Sequence, residues 1–383
     1  MPIMLKPRVC VIFGTRPEVI KMAPVVRAFR NRSERCECIV VSSGQHREMV
    51  DQALRAFDLH ADIRFDAMAS AKSLSTLTSR LFLDFDGLFD AEKPDWVMVQ
   101  GDTTTAMVGA LSAFYRRIRI GHVEAGLRTY NRWSPFPEES NRSIMGQVAD
   151  IHFAPTTRSE GNLLSSGVPK SSIHVTGNTV VDSLMWVIAR LGDSVPTELV
   201  EENIPGFIQG RQLVLVTSHR RESFGEGLRN ICSAIRQIVN DFPNSVVVFP
   251  VHLNPNVQAP VRETLGDHER IRLLQPVGYE ALIWLMRESY CILTDSGGIQ
   301  EEAPSFGKPL LIMRDTTERP EVIEAGCAKL VGTDFAGIVA AAKELFTNND
   351  LYRAMSAVAN PFGNGFASEA IADSVLAFNT SNS

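Results

Sequence analysis

Residues 8–18 read RVCVIFGTRPE, a short apolar run that stops at a glycine and leads directly into a proline-containing helix start. An unbroken apolar run of this length is typical of a parallel strand that is covered on both faces of its sheet. Similar runs recur between helical stretches at residues 38–42, 96–100, 118–123, 151–154, 173–176, 212–217, 245–251, 271–274, 291–294 and 309–313. The alternation predicts an α/β protein with two Rossmann-like, doubly wound domains that face each other across a cleft.

The domain boundary is expected between the two series of strands. Residues 192–210 are rich in Pro, Gly and acidic residues and lack apolar periodicity, which is typical of a linker or a peripheral excursion. A helix predicted at residues 367–378 follows the sequence PFGNG, which would let the chain cross back to the first domain. We therefore predict a first domain of residues 1–178, completed by a helix of about residues 366–383, and a second domain of residues 179–365.

Composition excludes several classes of protein. The chain has 383 residues, of which 44% are hydrophobic and 21% charged, as in an ordinary globular protein. Its formal net charge of −6 argues against general binding to nucleic acids or anionic membranes, because these partners attract a basic excess. No apolar run approaches the roughly 18 residues that span a bilayer, and no signal-peptide pattern precedes the first strand. We therefore expect a cytoplasmic protein without membrane insertion.

Six cysteines are distributed along the chain without a CxxC pair, and Cys10 and Cys291 lie inside apolar predicted strands. In a cytosolic chain such residues are usually buried and reduced. We expect thiols here rather than metal ligands or disulfides, and we predict no metal site.

Polar residues that directly follow strands have the greatest functional weight, because open parallel sheets bind ligands beyond the carboxyl ends of their strands. After the first strand, Gly14 permits a tight turn, and the amides of the next helix start together with Arg16 and Lys21 suggest an anion site. An ordinary capped turn with solvated charges is the alternative. Neither GxGxxG nor GxxxxGK[ST] occurs here, so a standard dinucleotide or P-loop site is not supported.

Three carboxylates follow later strands of the first half. Asp102 comes directly after the run 96–100, although it could simply cap the next helix. Glu124 lies in an apolar neighbourhood, where a carboxylate is costly unless it is paired or functional, and Arg128 is a possible partner. Glu138 begins a helix after a proline-rich loop, a place that acidic residues also occupy for the helix dipole alone. Such a cluster can separate into an acid, a base and a charge stabiliser.

The second half carries candidate phosphate-binding residues at its strand ends. His219 and Arg220 follow the first strand of this series and resemble a phosphate site, with a charged surface loop as the alternative. His252 is a weaker candidate after the next strand. Residues 296–298 read Ser-Gly-Gly at the start of a helix, where bare amides can hold a diphosphate unless the segment is only a turn. Glu302 follows one turn later and could bind the hydroxyls of a ribose.

These motifs together resemble the non-hydrolysing UDP-N-acetylglucosamine 2-epimerases over nearly the whole chain. The resemblance rests on FGTRPEVIKMAP, GQHREMVDQ, GDTTTAMVGALSAFY, GHVEAGLRT, SPFPEESNR, TGNTVVD, SHRRESFG, PVHLNPNV, LTDSGGIQEEAPSFGKP and RDTTERPE. It implies a two-domain fold of the glycosyltransferase-B type with the nucleotide mainly on the C-terminal domain. It also implies interconversion of UDP-N-acetylglucosamine and UDP-N-acetylmannosamine, no redox cofactor, and a homodimer.

The resemblance further assigns roles to individual residues. The implied UDP contacts are Arg16, His219, Ser296, Gly297, Gly298, Glu302 and Arg319. The residues that match the active site of the family are Lys21, Asp102, Glu124, Glu138 and His219. The residues that match an activating site for a second substrate molecule in some bacterial members are Gln45, His46, Arg220 and His252. Val277 and Leu282 lie in the stretch that the family places near the uridine.

A mechanism follows for the implied substrate. Carbon 2 of the sugar carries a nitrogen and is not next to a carbonyl, so simple enolisation cannot invert it. We hypothesise that UDP leaves carbon 1, which gives 2-acetamidoglucal, and then adds again after protonation from the opposite face. The cationic residues and the amides of residues 296–298 would hold the departing diphosphate, and the carboxylates as a group would move the proton. The alternatives are a hydrolysing epimerase, a glycosyltransferase and a nucleotide-sugar sensor.

Overall fold

The computed structural model describes residues 6–45, 47–68, 72–220 and 223–381, and these residues form two compact units. The first unit comprises the described residues up to Trp186 together with those from Phe362 onward, and the second unit is Val187–Pro361. Each unit has one parallel β-sheet with helices between its strands. The prediction of an α/β protein with two doubly wound parallel sheets is confirmed.

The sheet of the first unit has seven strands in the order β3-β2-β1-β4-β5-β6-β7. The chain runs outward from β1 to β3 and then returns to the other side of β1, so β1 and β4 border the topological switch point. The strands are β1 Arg8–Phe13, β2 Glu37–Ser42, β3 Ile63–Arg64, β4 Trp96–Gln100, β5 Arg119–Val123, β6 Ile151–Ala154 and β7 Ile173–Val175. The helices are α1 Arg16–Arg30, α2 Arg47–Ala56, α3 Leu74–Glu92, α4 Thr104–Tyr115, α5 Glu138–Val148, α6 Thr157–Ser165, α7 Thr179–Leu191 and α17 Ala367–Ser381.

The sheet of the second unit repeats this plan with six strands in the order β10-β9-β8-β11-β12-β13. Its switch point lies between β8 and β11. The strands are β8 Gln212–Thr217, β9 Ser245–Pro250, β10 Ile271–Leu274, β11 Cys291–Thr294, β12 Leu310–Ile312 and β13 Ala328–Leu330. The helices are α8 Thr197–Glu201, α9 Ile204–Ile208, α10 Glu226–Asp241, α11 Pro255–Leu265, α12 Tyr279–Glu288, α13 Gly297–Glu302, α14 Pro320–Ala325, α15 Phe335–Thr347 and α16 Asn349–Ser356.

The central strands are buried along nearly their full length. Val9 to Phe13 of β1 are at most 1% exposed, and β4 is buried throughout. Because both faces of these strands are covered, apolar side chains are favoured at successive positions rather than at alternate ones. Their carboxyl ends are therefore fixed by packing, which gives the loops that follow them a rigid base.

The C-terminal helix α17 is joined to the first unit by buried polar contacts. The Asp182 carboxylate of α7 accepts hydrogen bonds from the backbone amide and the hydroxyl of Ser368, at 2.7 and 2.6 Å. Arg32, two residues after the end of α1, forms an ion pair with Glu369 at 2.6 Å. Asp182 therefore satisfies amides at the start of α17 that have no partner within the helix.

The division between the units differs from the predicted one by a few residues. It falls after Trp186 and after Pro361, whereas the sequence suggested residues 178 and 365. The first division lies inside α7, so no break in secondary structure marks it. Residues 192–210, expected as a linker or excursion, include α8 and α9, whose Leu199 and Ile204 are fully buried. The burial of these two apolar side chains accompanies the formation of two short helices in a segment that has no long apolar periodicity.

Two short strands escaped prediction. β3 has only two residues, and β13 reads Ala-Lys-Leu, which has no β-branched side chain. Each is an outer strand that pairs with one neighbour, so the neighbouring strand rather than local propensity determines its conformation.

The six cysteines are free, and all except the partly exposed Cys38 are buried. Within the described residues, no helix combines the length and apolar character needed to cross a membrane.

Two buried histidines, His122 of β5 and His152 of β6, lie side by side in the first sheet. Burial lowers the pKa of His122 to about 4 and that of His152 to about 3. Both rings are therefore neutral in the folded protein at pH 7. The unfolded chain takes up these protons below about pH 6.5, so acidification favours unfolding. Stability that is complete above pH 6.5 is lost as the pH falls toward the folded pKa values.

We expect the His122 ring to account for a loss of about 1.4 kcal/mol of unfolding free energy between pH 7.5 and pH 5.5. Urea unfolding at the two pH values measures this loss. A His122→Asn variant lacks the titrating ring and should lose that much less on acidification than the unchanged protein. Equal losses in both proteins would contradict this assignment.

Candidate active site

The first unit buries an ion pair at the carboxyl end of its sheet. The Lys21 ammonium, on α1, donates a hydrogen bond to Glu124, which follows β5 in a left-handed backbone conformation with a φ of 59°. Gln100, at the end of β4, donates to the other oxygen of Glu124, and Asn178 donates to the first at 3.0 Å. The Glu124 side chain is only 4% exposed. Its charge is thus balanced by one cation and two amide donors, as a buried carboxylate requires.

Arg128, named from the sequence as a possible partner of Glu124, is not its partner in the structure. The Arg128 guanidinium instead donates to the backbone carbonyls of Leu127 and Arg142, at 2.9 and 3.4 Å. Sequence proximity favoured Arg128, but the fold brings Lys21 to Glu124 from 103 residues earlier in the chain.

The expected anion site at the start of α1 is filled by the protein itself. The Glu18 carboxylate accepts from the amides of Gly14 and Thr15 at 3.0 and 2.8 Å, and from the hydroxyl of Thr103 at 2.7 Å. Lys21 is paired with Glu124, as described above. Burial raises the pKa of Glu18, although these hydrogen bonds oppose the shift. Arg16 remains as the half-buried cation of this turn.

Asp102 does not cap the helix that follows it. Thr103 is the N-cap of α4, and its hydroxyl oxygen accepts from the amide of Ala106 at 3.0 Å. The Asp102 carboxylate instead binds the guanidinium of Arg142 on α5 with two hydrogen-bond distances, 2.8 and 2.7 Å. The Asn141 amide also donates to the Asp102 carbonyl at 2.8 Å. Helix α5 therefore fixes the position of Asp102.

Thr103 links the loop after β1 to the loop after β4, because its hydroxyl both caps α4 and donates to Glu18. We expect Thr103→Ala to lower the unfolding free energy by about 1–2 kcal/mol. Thr103→Ser keeps the hydroxyl and serves as the matched control. Urea unfolding of both variants tests this prediction, which fails if serine and alanine are equally destabilising.

Glu138 and Glu139 are adjacent in sequence but differ in environment. The Glu139 carboxylate accepts from the backbone amides of Thr129 and Tyr130 at 2.9 and 3.1 Å, and it pairs with Arg142 at 3.1 Å. Oε2 of Glu138 is buried and has no hydrogen-bond partner among the residues that the structure describes. Glu139 thus supports the loop and Arg142, whereas Oε2 of Glu138 has no hydrogen-bond partner among the described residues.

In the second unit, a buried aspartate organises the loop after β8. Asp295 follows β11 directly and is 0% exposed. One carboxylate oxygen accepts from the Ser218 hydroxyl at 2.9 Å and from the amides of His219 and Arg220 at 2.8 and 3.0 Å. Its other oxygen lies 3.2 Å from Nδ1 of His219. The His219 ring is stacked on that of His252, with centroids 5.9 Å apart.

The remaining candidates of the second unit follow β11 and β12. Ser296 is the N-cap of α13, but its side chain makes no capping hydrogen bond. The helix therefore begins with the backbone amides of Gly297 and Gly298, to which the Ser296 side chain does not bond. Glu302 is buried and accepts from the Tyr279 hydroxyl at 2.7 Å. Arg319 pairs with the buried Glu301. Of the two candidates near the uridine, Val277 lies just before α12 and Leu282 lies within that helix.

The residues proposed for binding a second substrate molecule do not form one cluster within either unit. Gln45, in the first unit, accepts from the Thr105 hydroxyl at 3.0 Å. His46 lies outside the described residues. In the second unit, Arg220 is 3.9 Å from Glu318, and the exposed His252 accepts from the amide of Asn254 at 3.1 Å.

Sequence reasoning gave no role to several residues that support these sites. Glu18 is one of them, although Thr-x-x-Glu before an apolar helix is the signature of a capping box. Asp295 is another, and its place directly after a strand could have identified it. Gln100, Asn178 and Arg142 gave no such signal, because their partners come from distant segments.

Comparisons with known proteins agree with these motifs. Residues 28–376 match the family model described as UDP-N-acetylglucosamine 2-epimerase. The UDP-N-acetylglucosamine 2-epimerase of Salmonella typhimurium is 48% identical over 360 residues, which cover 94% of this chain and 95% of that protein. The Escherichia coli K12 protein of the same name is 46% identical over 370 residues, with coverages of 96% and 98%. The structure of Neisseria meningitidis UDP-GlcNAc 2-epimerase bound to UDP-GlcNAc is 42% identical, with a TM-score of 0.89, and covers 97% of this chain and 100% of that chain.

Proposed function

The chain belongs to the UDP-N-acetylglucosamine 2-epimerase family, and we propose that it interconverts UDP-N-acetylglucosamine and UDP-N-acetylmannosamine without hydrolysing either. The observation that carries this proposal is the set of acidic groups after β4 and β5 and at the start of α5. Asp102, Glu124 and Glu138 each have a different environment, and Oε2 of Glu138 has no hydrogen-bond partner within the part of the chain that the structure describes. Different environments allow carboxylates to act in different protonation states at one pH.

The proposed reaction begins with cleavage of the bond between carbon 1 and the UDP oxygen, which takes the electron pair. One carboxylate removes the proton from carbon 2, and the C–H electron pair forms the double bond of 2-acetamidoglucal. Return of a proton to the opposite face and re-addition of UDP give the epimer. General acid–base assistance contributes about 10² to 10⁴-fold to such steps. Asp102, Glu124 and Glu138 share the proton transfers in this proposal, with Lys21 balancing the charge of Glu124.

We assign binding of the nucleotide to the second unit. The amides at the start of α13 are hydrogen-bond donors of the kind that bind phosphate oxygens, and His219 and Arg319 add polar and cationic groups. Glu302 would accept from ribose hydroxyls beside Tyr279. Arg16 is also proposed as a UDP contact, on the motif resemblance. Support comes from the Neisseria relative, whose structure contains UDP-GlcNAc.

We further propose that the enzyme is a cytoplasmic homodimer that supplies N-acetylmannosamine units for cell-surface polysaccharide. These assignments rest on the motif resemblance described above. Gln45, His46, Arg220 and His252 remain the residues proposed to respond to a second substrate molecule. Sedimentation of the purified chain tests the dimer, and a sigmoidal dependence of rate on substrate concentration would support activation.

Incubation with UDP-N-acetylglucosamine in heavy water tests the reaction. We expect deuterium at carbon 2 of both epimers and a constant total of nucleotide sugar, read by proton and phosphorus NMR. Stoichiometric release of UDP would instead indicate a hydrolysing epimerase, and release only with a sugar acceptor would indicate a glycosyltransferase. Binding of the nucleotide sugar without any exchange would indicate a sensor.

A further inference from the structure

The contact with Asp295 determines which nitrogen of the His219 ring faces the buried carboxylate. Asp295 lies at the end of β11, and His219 follows β8, its neighbour in the sheet. Strand pairing therefore keeps the two residues together, and Asp295 Oδ1 lies 3.2 Å from His219 Nδ1. The His219 side chain is 41% exposed, while the aspartate is fully buried. One nitrogen of the ring thus contacts the buried carboxylate, while the side chain as a whole remains partly exposed.

The charge of Asp295 is stabilised by the surrounding donors. Burial acts to raise the pKa of Asp295, but the nearby His219 ring and the hydrogen bonds from the amides of His219 and Arg220 outweigh it and hold the pKa below its ordinary value. An ionised carboxylate can only accept hydrogen bonds. An unprotonated Nδ1 would place its lone pair against the Asp295 carboxylate oxygen 3.2 Å away, so this contact favours the tautomer with the ring proton on Nδ1.

We propose that Asp295 is a positioning residue for catalysis, which holds His219 with Nδ1 protonated and Nε2 free to bind the diphosphate of the substrate. The proposal rests on the proposed function, since it takes the diphosphate of a UDP-sugar as the ligand. When Nε2 is also protonated, it donates a hydrogen bond to the phosphate oxygen that receives the electron pair of the breaking C1–O bond. The buried carboxylate offsets the positive charge of the ring at that moment, a role that carboxylates fill beside catalytic histidines.

The same aspartate has a second role in the fold, so the test must separate the two. Its Oδ2 anchors the loop through Ser218 and two backbone amides, whereas Oδ1 faces the ring. Ser218→Ala removes one anchoring hydrogen bond without touching the ring contact, which makes it the matched control. Asp295→Asn is nearly isosteric, but its amide group can donate as well as accept and no longer fixes the ring proton on Nδ1.

We expect Asp295→Asn to lower kcat on the order of 100-fold with little change in KM, because loss of a supporting partner of this kind costs about 10- to 100-fold or more. Ser218→Ala should lower kcat by less than about tenfold, because it removes one anchoring hydrogen bond and leaves the ring contact of Asp295 in place. Equal losses in the two variants, or a loss confined to KM, would overturn the inference. Circular dichroism of each variant verifies the fold.

Nitrogen-15 NMR of the His219 ring supplies a readout that needs no turnover. At pH 8 the unchanged protein should show a protonated Nδ1 and an unprotonated Nε2, with the resonance assigned by its absence from a His219→Asn sample. Asp295→Asn should shift this pattern, and Ser218→Ala should keep it. An unprotonated Nδ1 in the unchanged protein refutes the role of Asp295 even if the variant fails to fold. If the unchanged protein shows no epimerase activity but does show this pattern, the proposed function fails and the ring geometry stands.

Discussion

Glu138→Gln should lower the rate of deuterium exchange at carbon 2 by about 10² to 10⁴-fold while the affinity for UDP remains nearly unchanged. The substitution keeps the size of the side chain, but its amide cannot take up or release a proton as a catalytic carboxylate does. Oε2 of Glu138 is buried and unused by the described residues, so no structural partner is lost with it. Exchange measured by NMR and UDP binding measured by calorimetry test the two parts of this prediction.

Glu139→Gln is the matched control for this experiment. Glu139 holds the amides of Thr129 and Tyr130 and the Arg142 guanidinium, so its replacement should reduce stability by about 1–3 kcal/mol. Its exchange rate should fall by no more than about tenfold. If Glu138→Gln exchanges deuterium at the normal rate, Glu138 is not a catalytic residue.

Lys21→Met should lower the unfolding free energy of the first unit by about 3–5 kcal/mol and also abolish turnover. The methionine fills a similar volume but leaves Glu124 as an uncompensated charge in a site where the carboxylate is 4% exposed. Gln100 and Asn178 still donate to Glu124, but neither amide carries a charge. Urea unfolding followed by circular dichroism measures the loss of stability.

A double-mutant cycle isolates the Lys21–Glu124 interaction. The combination Lys21→Met with Glu124→Gln removes both charges and should recover much of the stability lost in the single lysine variant. Lys21→Arg keeps the charge and should be the mildest change of the series. If the double variant is as unstable as Lys21→Met, the lysine stabilises the unit through contacts other than this ion pair.

Strand positions were predictable because buried parallel strands are apolar along their whole length. The run at residues 8–13 and the run at residues 96–100 became β1 and β4 with those bounds. By contrast, β13 has no such signal, and pairing with β12 gives it its conformation. A central strand that is buried on both faces shows a continuous apolar run in the sequence, whereas the conformation of an outer strand of three residues depends on pairing with its neighbour.

The carboxylates were recognisable from their places after strands, but their partners were not. Glu124 follows β5 as the motif suggests, yet its cation comes from α1 rather than from the nearby Arg128. Asp102 was a candidate for either a catalytic group or a helix cap, and the cap proves to be the next residue, Thr103. Local sequence determines which chemical groups stand at a sheet edge. The contacts between them depend on how distant helices pack, and spacing alone carries no such information.

The first unit is assembled from two separate parts of the chain. The start of α17 donates a hydrogen bond to Asp182, and Glu369 of α17 pairs with Arg32. Ribosomal synthesis proceeds from the N-terminus, so the whole of Val187–Pro361 emerges before the last helix of the first unit exists. The second unit can therefore finish folding while the older segment still lacks its final element. During translation, the part made first is the part completed last, and its exposed α1 surface must wait for α17.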